Sequence, residues 1–159
     1  MGAIDLPVVP SKGGRQKLDK LWLAKLQTEG FGAQRFRAAE PPPDLDLAIR
    51  QFNRQQFWEC HETLELLWLP EAYPLRLFYH GLIKAAVGLL HLSGHNRAGA
   101  GSKLSDGIST LAPFVPETMG VDVAGLRGDL VQRLALVQNS ARVNWSSIDG
   151  LAPIQIRVR

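Results

Sequence analysis

The segment that follows Pro74 constrains the fold most strongly, because it is apolar over almost its whole length. Its apolar residues recur at helical spacing, and they include Phe78, Leu82, Ile83, Ala86, Leu89, Leu90 and Leu92. A helix that is apolar on nearly every side must be covered by other parts of the chain. The stretch 82–92 contains Lys84 and His91 and has about half of the roughly 20 residues that a membrane span needs. We therefore expect a buried helix and no transmembrane segment.

Start and stop signals predict two shorter helices before this segment. The prolines at 41–43 stiffen the chain into an extended spacer. Asp44 follows them directly and is a good N-cap for a helix that ends near Asn53. A second helix is predicted from about residue 55 to residue 69, and Pro70 stops it.

Similar signals define the remaining helices. Gly94 is expected to end the buried helix in the left-handed conformation, while Asn96 and Asp122 are expected to cap a fourth and a fifth helix. The connection 70–74 is so short that it makes the second and third helices antiparallel neighbours. The predicted fold is all-α: a single compact multihelical array of about five helices with antiparallel neighbours and an extra N-terminal helix.

The predicted organisation has three parts. Residues 1–43 form an arm with a short amphipathic helix over residues 17–27 and a Pro-rich spacer, residues 44–139 form the helical core domain, and residues 140–159 form a C-terminal tail. The apolar face of the arm helix consists of Leu18, Leu21, Trp22 and Leu26. This face is a candidate contact for a protein partner or for a second copy of the chain in a homo-oligomer.

The composition excludes several classes of protein. Residues 1–40 carry seven Lys or Arg against four acids, residues 41–140 eight against ten, and residues 141–159 three against one. A slightly acidic core without a DNA-binding motif argues against nucleic acid as its partner. Cys60 is the single cysteine, which excludes an intrachain disulfide and a multi-thiolate zinc site. No secretory signal follows Met1, so we expect a cytoplasmic protein.

The second predicted helix carries the clearest candidate site. His61 and Glu65 lie four residues apart, which places both on one helix face about 40° apart, and Trp68 covers the next turn of that face. Trp58 and Glu62 complete this candidate polar network or ligand pocket. Glu62 is about 100° from His61, which also makes it a candidate for a solvated position.

The third predicted helix carries a matching polar stripe. Counting 100° per residue from His80 places His91 at about 20° and Lys84 at about 40°. His95 follows at about 60°, at the helix end, where a histidine suits the helix dipole. Burying such groups alone would cost on the order of several kcal/mol, so a polar partner should face them. The short connection makes the polar face of the second helix the expected partner.

The His61, Glu65 and Trp68 spacing stands within a longer series of motifs: Phe52-Asn53, Phe57-Trp58-Glu59, Gly81-Leu82-Ile83, His91, Asn96 and Gly99-Ala100. In this order the motifs resemble the family catalogued as domain of unknown function family 309. Later motifs, Leu111-Ala112-Pro113-Phe114 and Gly120-Val121-Asp122-Val123, are similar to its cyanobacterial branch. The resemblance implies a compact multihelical domain and a His-x-x-x-Glu-x-x-Trp motif suspected of binding metal. It implies no established activity.

Divalent-metal binding is one function that the residues suggest. The candidate ligands are His61, Glu65, His80 and His91. An imidazole and a carboxylate four residues apart can turn toward one ion, and a position left to water would give a hydrolytic site. Lys84 argues against this hypothesis, because an ammonium in the same stripe would repel the cation and could neutralise Glu65 without it.

Two further functions remain open. The domain could be a non-catalytic scaffold or interaction module. Glu65 would then pair with Lys84 and with His61 or His80 in a structural polar network, and Trp68 would pack over that network. It could instead hold a small-molecule pocket roofed by Trp58 or Trp68.

Overall fold

The computed structural model describes residues 12–29 and 40–159, and α-helices dominate both ranges. The helices are α1 Lys12–Glu29, α2 Pro43–Asn53, α3 Phe57–Trp68, α4 Leu75–Ser93, α5 Arg97–Leu111, α6 Val123–Gln138 and α7 Trp145–Asp149. Between α5 and α6 stand a 3-10 helix, Ala112–Phe114, and an antiparallel hairpin of β1 Glu117–Thr118 and β2 Val121–Asp122. The predicted all-α compact array is confirmed.

Helix α4 is the centre of the array, as its apolar sequence predicts. Most of its side chains are buried, and it packs most extensively against α5 and next against α3. Its close approach to α5 depends on Gly88, where a Cβ atom would lie 2.8 Å from Cδ2 of Leu104. Among the described helices, none is both long and apolar enough to cross a membrane.

The helix ends agree with the sequence at two positions and differ at two. The side chains of Asn96 and Asp122 accept hydrogen bonds from backbone N–H groups and cap α5 and α6 as expected. Asp44 is not an N-cap, because α2 begins one residue earlier, at Pro43, whose fixed φ suits the first helical turn. Gly94 has φ of −87°, and the left-handed residue is His95, with φ of 56°.

Both ends of the described chain pack on the core. In α1, Leu18, Trp22 and Leu26 are buried while Leu21 is exposed. At the other end, the side chain of Asn53 exchanges two hydrogen bonds with the backbone of Ile156. A single antiparallel bridge joins Val121 and Val158. The remainder of the predicted arm, residues 1–11 and 30–39, lies outside the described residues.

Candidate functional site

The pair expected on the second helix forms within α3. Nε2 of His61 lies 2.9 Å from Oε1 of Glu65, and the ring of Trp58 lies 5.1 Å from the imidazole. Nδ1 of His61 is buried and has no hydrogen-bond partner among the described residues. Glu62 is exposed on the same helix, as its angle predicts. Glu65 therefore engages one nitrogen of His61 within the same helix, and the polar stripe of α4 does not supply that contact.

The stripe on α4 faces a carboxylate of α1 instead. Asp19 is 8% exposed, and its Oδ2 lies 2.9 Å from Nδ1 of His80. Its Oδ1 accepts a hydrogen bond from the hydroxyl of Tyr73, in the connection between α3 and α4. Both oxygens of a buried acid are thus engaged by groups of the core. We call Asp19, Tyr73, His80 and Lys84 the docking site.

The docking site stabilises the ionised form of Asp19. Burial alone would raise the pKa of this carboxyl, because it penalises the charged form. The close imidazole of His80, the hydrogen bond from Tyr73 and the positive charges of His80 and Lys84 outweigh burial, so the pKa lies below its ordinary value. The surroundings of Asp19 therefore stabilise its ionised form relative to its protonated form.

Lys84 lies one helical turn from His80 and takes part through its charge. Its Nζ donates a hydrogen bond to Oγ1 of Thr110 on α5, at 3.2 Å, so the expected pair with Glu65 is not formed. Burial lowers the pKa of Lys84, while the nearby carboxylates of Asp106 and Asp19 oppose that shift. The ammonium thus contributes positive potential to the docking site without contacting Asp19 directly.

Aromatic rings enclose the docking site. Trp22, one turn beyond Asp19 on α1, stacks on the ring of Tyr73 with centroids 5.4 Å apart and planes within 4°. On the core, the centroid of the Trp68 ring lies 5.1 Å from that of the His80 imidazole. The guanidinium of Arg76 lies over the same Trp68 ring, 4.4 Å from its centroid. One helix of the arm thus supplies both an acid and an aromatic face to the core.

The other two histidines of the stripe belong to separate contacts. Nδ1 of His91 lies 3.1 Å from Nδ2 of Asn96 at the start of α5. Nε2 of His95 lies 2.9 Å from Oδ2 of Asp149, and its imidazole stacks on the ring of Trp145. His95 therefore joins α7 to the core. The sequence predicts only an interaction of His95 with the helix dipole and does not predict this contact.

The four candidate metal ligands do not form one metal site in the described residues. His61 and Glu65 pair with each other, His80 pairs with Asp19, and His91 contacts Asn96. No group of three or more His, Cys, Asp or Glu side chains in residues 12–29 and 40–159 could hold a metal ion. The four candidate ligands are therefore not assembled around one point.

The sequence patterns do not identify three residues of the site: Asp19, Tyr73 and Arg76. Asp19 carries a usable signal, because it lies about 60° from Trp22 on the helical wheel and so falls on the apolar face of the arm helix. An acid on such a face is expected to meet a polar partner. Tyr73 and Arg76 flank Pro74 in a region without clear periodicity, and no local pattern indicates their contacts.

The fold and the docking site define a class of protein: an all-α domain in which a carboxylate of α1 is buried beside Tyr73 and His80. Residues 45–102 match the family model described as Domain of unknown function (DUF309). This confirms the resemblance to that family over residues 45–102, and the match contains Tyr73, His80 and Lys84 but neither Asp19 nor Trp22. No curated protein matches the chain.

Proposed function

We propose that the domain is a non-catalytic interaction module that binds an amphipathic helix, and that α1 is its ligand within the same chain. The observation that carries the proposal is the burial of Asp19 of α1 between Tyr73 and His80 of the core. A buried carboxylate with two dedicated partners specifies one position for the helix. The apolar residues beside it supply contact area within the same chain, and contact of this face with a separate partner or a second copy stays a prediction.

The chemistry of recognition supports a helix as the ligand. Leu18, Trp22 and Leu26 follow the spacing with which amphipathic helices place anchors in a groove, and all three are buried. Asp19 adds the charge that fixes orientation, since an acid left without His80 and Tyr73 would be costly to bury. The ligand class is therefore an amphipathic helix with an acid three residues before an aromatic anchor.

The boundaries of the family match add a second line of support. The groups that receive the acid lie inside residues 45–102, whereas the acid lies on α1, outside that range. A receiving site carried by the matched segment can accept the arm of its own chain, the arm of a second copy, or a similar helix of another protein. Binding within the chain is the arrangement that the contacts of α1 favour.

The experiment separates α1 from the core within the folded protein. A protease site inserted in residues 30–39 allows the chain to be cut after folding, and a fluorescent peptide of residues 12–29 is then added. We expect cut α1 to stay associated and the peptide to exchange with it, seen as a saturable rise in anisotropy. Loss of α1 from a core that stays folded, with no peptide binding, would contradict the proposal.

Two peptide variants make the test specific. Asp19→Asn keeps the shape of the side chain but removes its charge, so we expect affinity to fall roughly tenfold to a hundredfold, as for a hydrogen bond to a charged group. Lys20→Gln changes the charge at an exposed neighbouring position, and its affinity should stay within about twofold. Equal weakening by both variants would indicate a nonspecific charge effect.

Divalent-metal binding, a small-molecule site at Trp58 or Trp68, and a cytoplasmic location remain predictions. The His61 and Glu65 pair supports the metal hypothesis with two adjacent donors. Elemental analysis of protein purified without a nickel tag tests it, and a stoichiometric divalent metal lost in His61→Gln would favour it over the interaction module. Tryptophan fluorescence against a metabolite library tests the small-molecule site.

A further inference from the structure

A pocket of about 250 Å³ opens where the end of α4 meets α6, α7 and the C-terminal segment, and it shares no lining residue with the docking site. Its floor is apolar and consists of Phe57, Leu89, Leu92, Ile148 and Ile154. Of these, Leu89 stays 5% and Ile154 7% exposed, whereas Leu104 in the adjoining core is fully buried. The floor is therefore almost fully buried, and the apolar surface that a ligand could cover comes mainly from Leu151, which also lines the pocket and is 41% exposed.

A positively charged side chain, Arg133, lines this pocket. Nη2 of Arg133 donates a 2.6 Å hydrogen bond to the carbonyl of Ala152, which anchors the guanidinium at the pocket. Within the described ranges, its other N–H groups make no hydrogen bond or close ion pair, and the charge of Asp129 on the same helix acts on the guanidinium from a greater distance. A guanidinium offers five donors in a planar fork that matches a carboxylate, so those remaining are free for a ligand.

The opposite charge on the rim restricts the ligand further. Asp149 lines the pocket, and its Oδ2 is paired with His95. A carboxylate there disfavours ligands with several negative charges, such as phosphates, but is compatible with a single acid held at Arg133. The volume corresponds to about eight waters, and a 150 Å³ apolar cavity can hold a benzene ring. A ring and a carboxylate therefore fit.

We infer that this pocket binds a small monocarboxylate with an apolar body, with the carboxylate on the guanidinium of Arg133 and the apolar body between the buried floor and the exposed side chain of Leu151. Aryl-acetic and branched alkyl acids belong to this class. The inference does not depend on the helix-binding function, because the two sites share no residue. It assigns a ligand to a region where the family segment meets the C-terminal part of the chain.

Titration of the full chain with phenylacetate, followed by backbone amide NMR, tests this inference. We expect saturable shifts confined to the residues around the pocket. Phenylacetamide, which has the same ring and no charge, should bind roughly tenfold to a hundredfold more weakly, because it loses the charged hydrogen bonds. This comparison uses the unaltered protein, so it does not depend on the folding of any variant.

Three variants locate the carboxylate. Arg133→Gln should weaken phenylacetate to the level of the amide, while Arg142→Gln, which removes an exposed basic charge elsewhere, should leave binding unchanged. Asp149→Asn removes a negative charge that would repel the ligand carboxylate, so the affinity for phenylacetate should stay equal or increase. The inference is overturned by no saturable binding of phenylacetate, by equal binding of acid and amide, or by unchanged acid binding in folded Arg133→Gln.

Discussion

Nδ1 of His80 on α4 lies 2.9 Å from Oδ2 of Asp19 on α1, and this contact joins the arm to the centre of the helical array. The imidazole lies inside the segment that matches the family model, and the carboxylate lies outside it. With the hydroxyl of Tyr73 on the other oxygen, the core recognises the acid at both of its acceptor atoms. The position of α1 is thereby specified by polar contacts as well as by apolar burial.

Asp19 is expected to make the stability of the protein depend on pH. Its pKa is lowered in the folded state, so its stabilisation is complete above the unfolded value of about 3.9 and is lost as pH falls through the folded value. At pH 7, Asp19→Asn should lower the free energy of unfolding by about 1 to 3 kcal/mol. Urea unfolding should show this difference unchanged from pH 7 to pH 5 and shrinking below about pH 3.9, with the loss complete only below the lowered pKa of folded Asp19.

An exposed acid provides the matched control for that series. Asp46 forms an i,i+4 pair with Arg50 on the surface of α2, and Asp46→Asn should change the free energy of unfolding by no more than about 0.5 kcal/mol at pH 7. If Asp19→Asn behaved like Asp46→Asn, Asp19 would not be paired in the folded protein.

Gly88 is expected to be intolerant of a side chain. A Cβ atom there would lie 2.8 Å from Cδ2 of Leu104 and 3.0 Å from its backbone nitrogen, and the backbone cannot move aside without separating α4 from α5. Gly88→Ala should therefore cost about 1 to 3 kcal/mol in thermal or urea unfolding. Gly101→Ala on α5 has open space, and should stabilise by up to about 1 kcal/mol. Equal effects would contradict the close packing.

Cys60 is expected to be inert in the folded protein. Burial raises the pKa of its thiol to about 12, so at pH 8 about one thiol in ten thousand is ionised, and the side chain is also sealed inside the core. Alkylation by iodoacetamide at pH 8, followed by mass spectrometry, should be at least about a thousandfold slower in native protein than in urea. Similar rates in both states would show that Cys60 is accessible.

The fold could be predicted largely from the sequence, because helix formation here follows local patterns. The apolar spacing of α4 and the capping side chains of Asn96 and Asp122 are local signals, and each defines an element that the structure contains. The errors at Asp44 and Gly94 involve one or two residues at helix ends, where several neighbours can fill the same role.

The candidate site could be predicted only in part, because its polar partners are distant in sequence. His80 and Lys84 are correctly placed on one face of a helix, and a polar partner is correctly expected for them. The sequence favours α3 as that partner, since it is the nearest helix along the chain, but His61 and Glu65 of α3 contact each other and the stripe meets Asp19 of α1. Periodicity identifies which face of a helix is polar and does not identify which distant segment meets it.

Hydrogen exchange at the α1 backbone amides tests the helix-binding function most directly. Most of the stability of a helix in a protein comes from packing of its amphipathic face, so strong protection of α1 is expected to come from docking on the core. We expect amides 18–26 to be protected in the intact chain and at least about tenfold less protected in Asp19→Asn, with no change in Asp46→Asn. Exchange of these amides at unfolded rates in the unaltered protein, or equal protection in Asp19→Asn, would contradict the docking of α1 through Asp19.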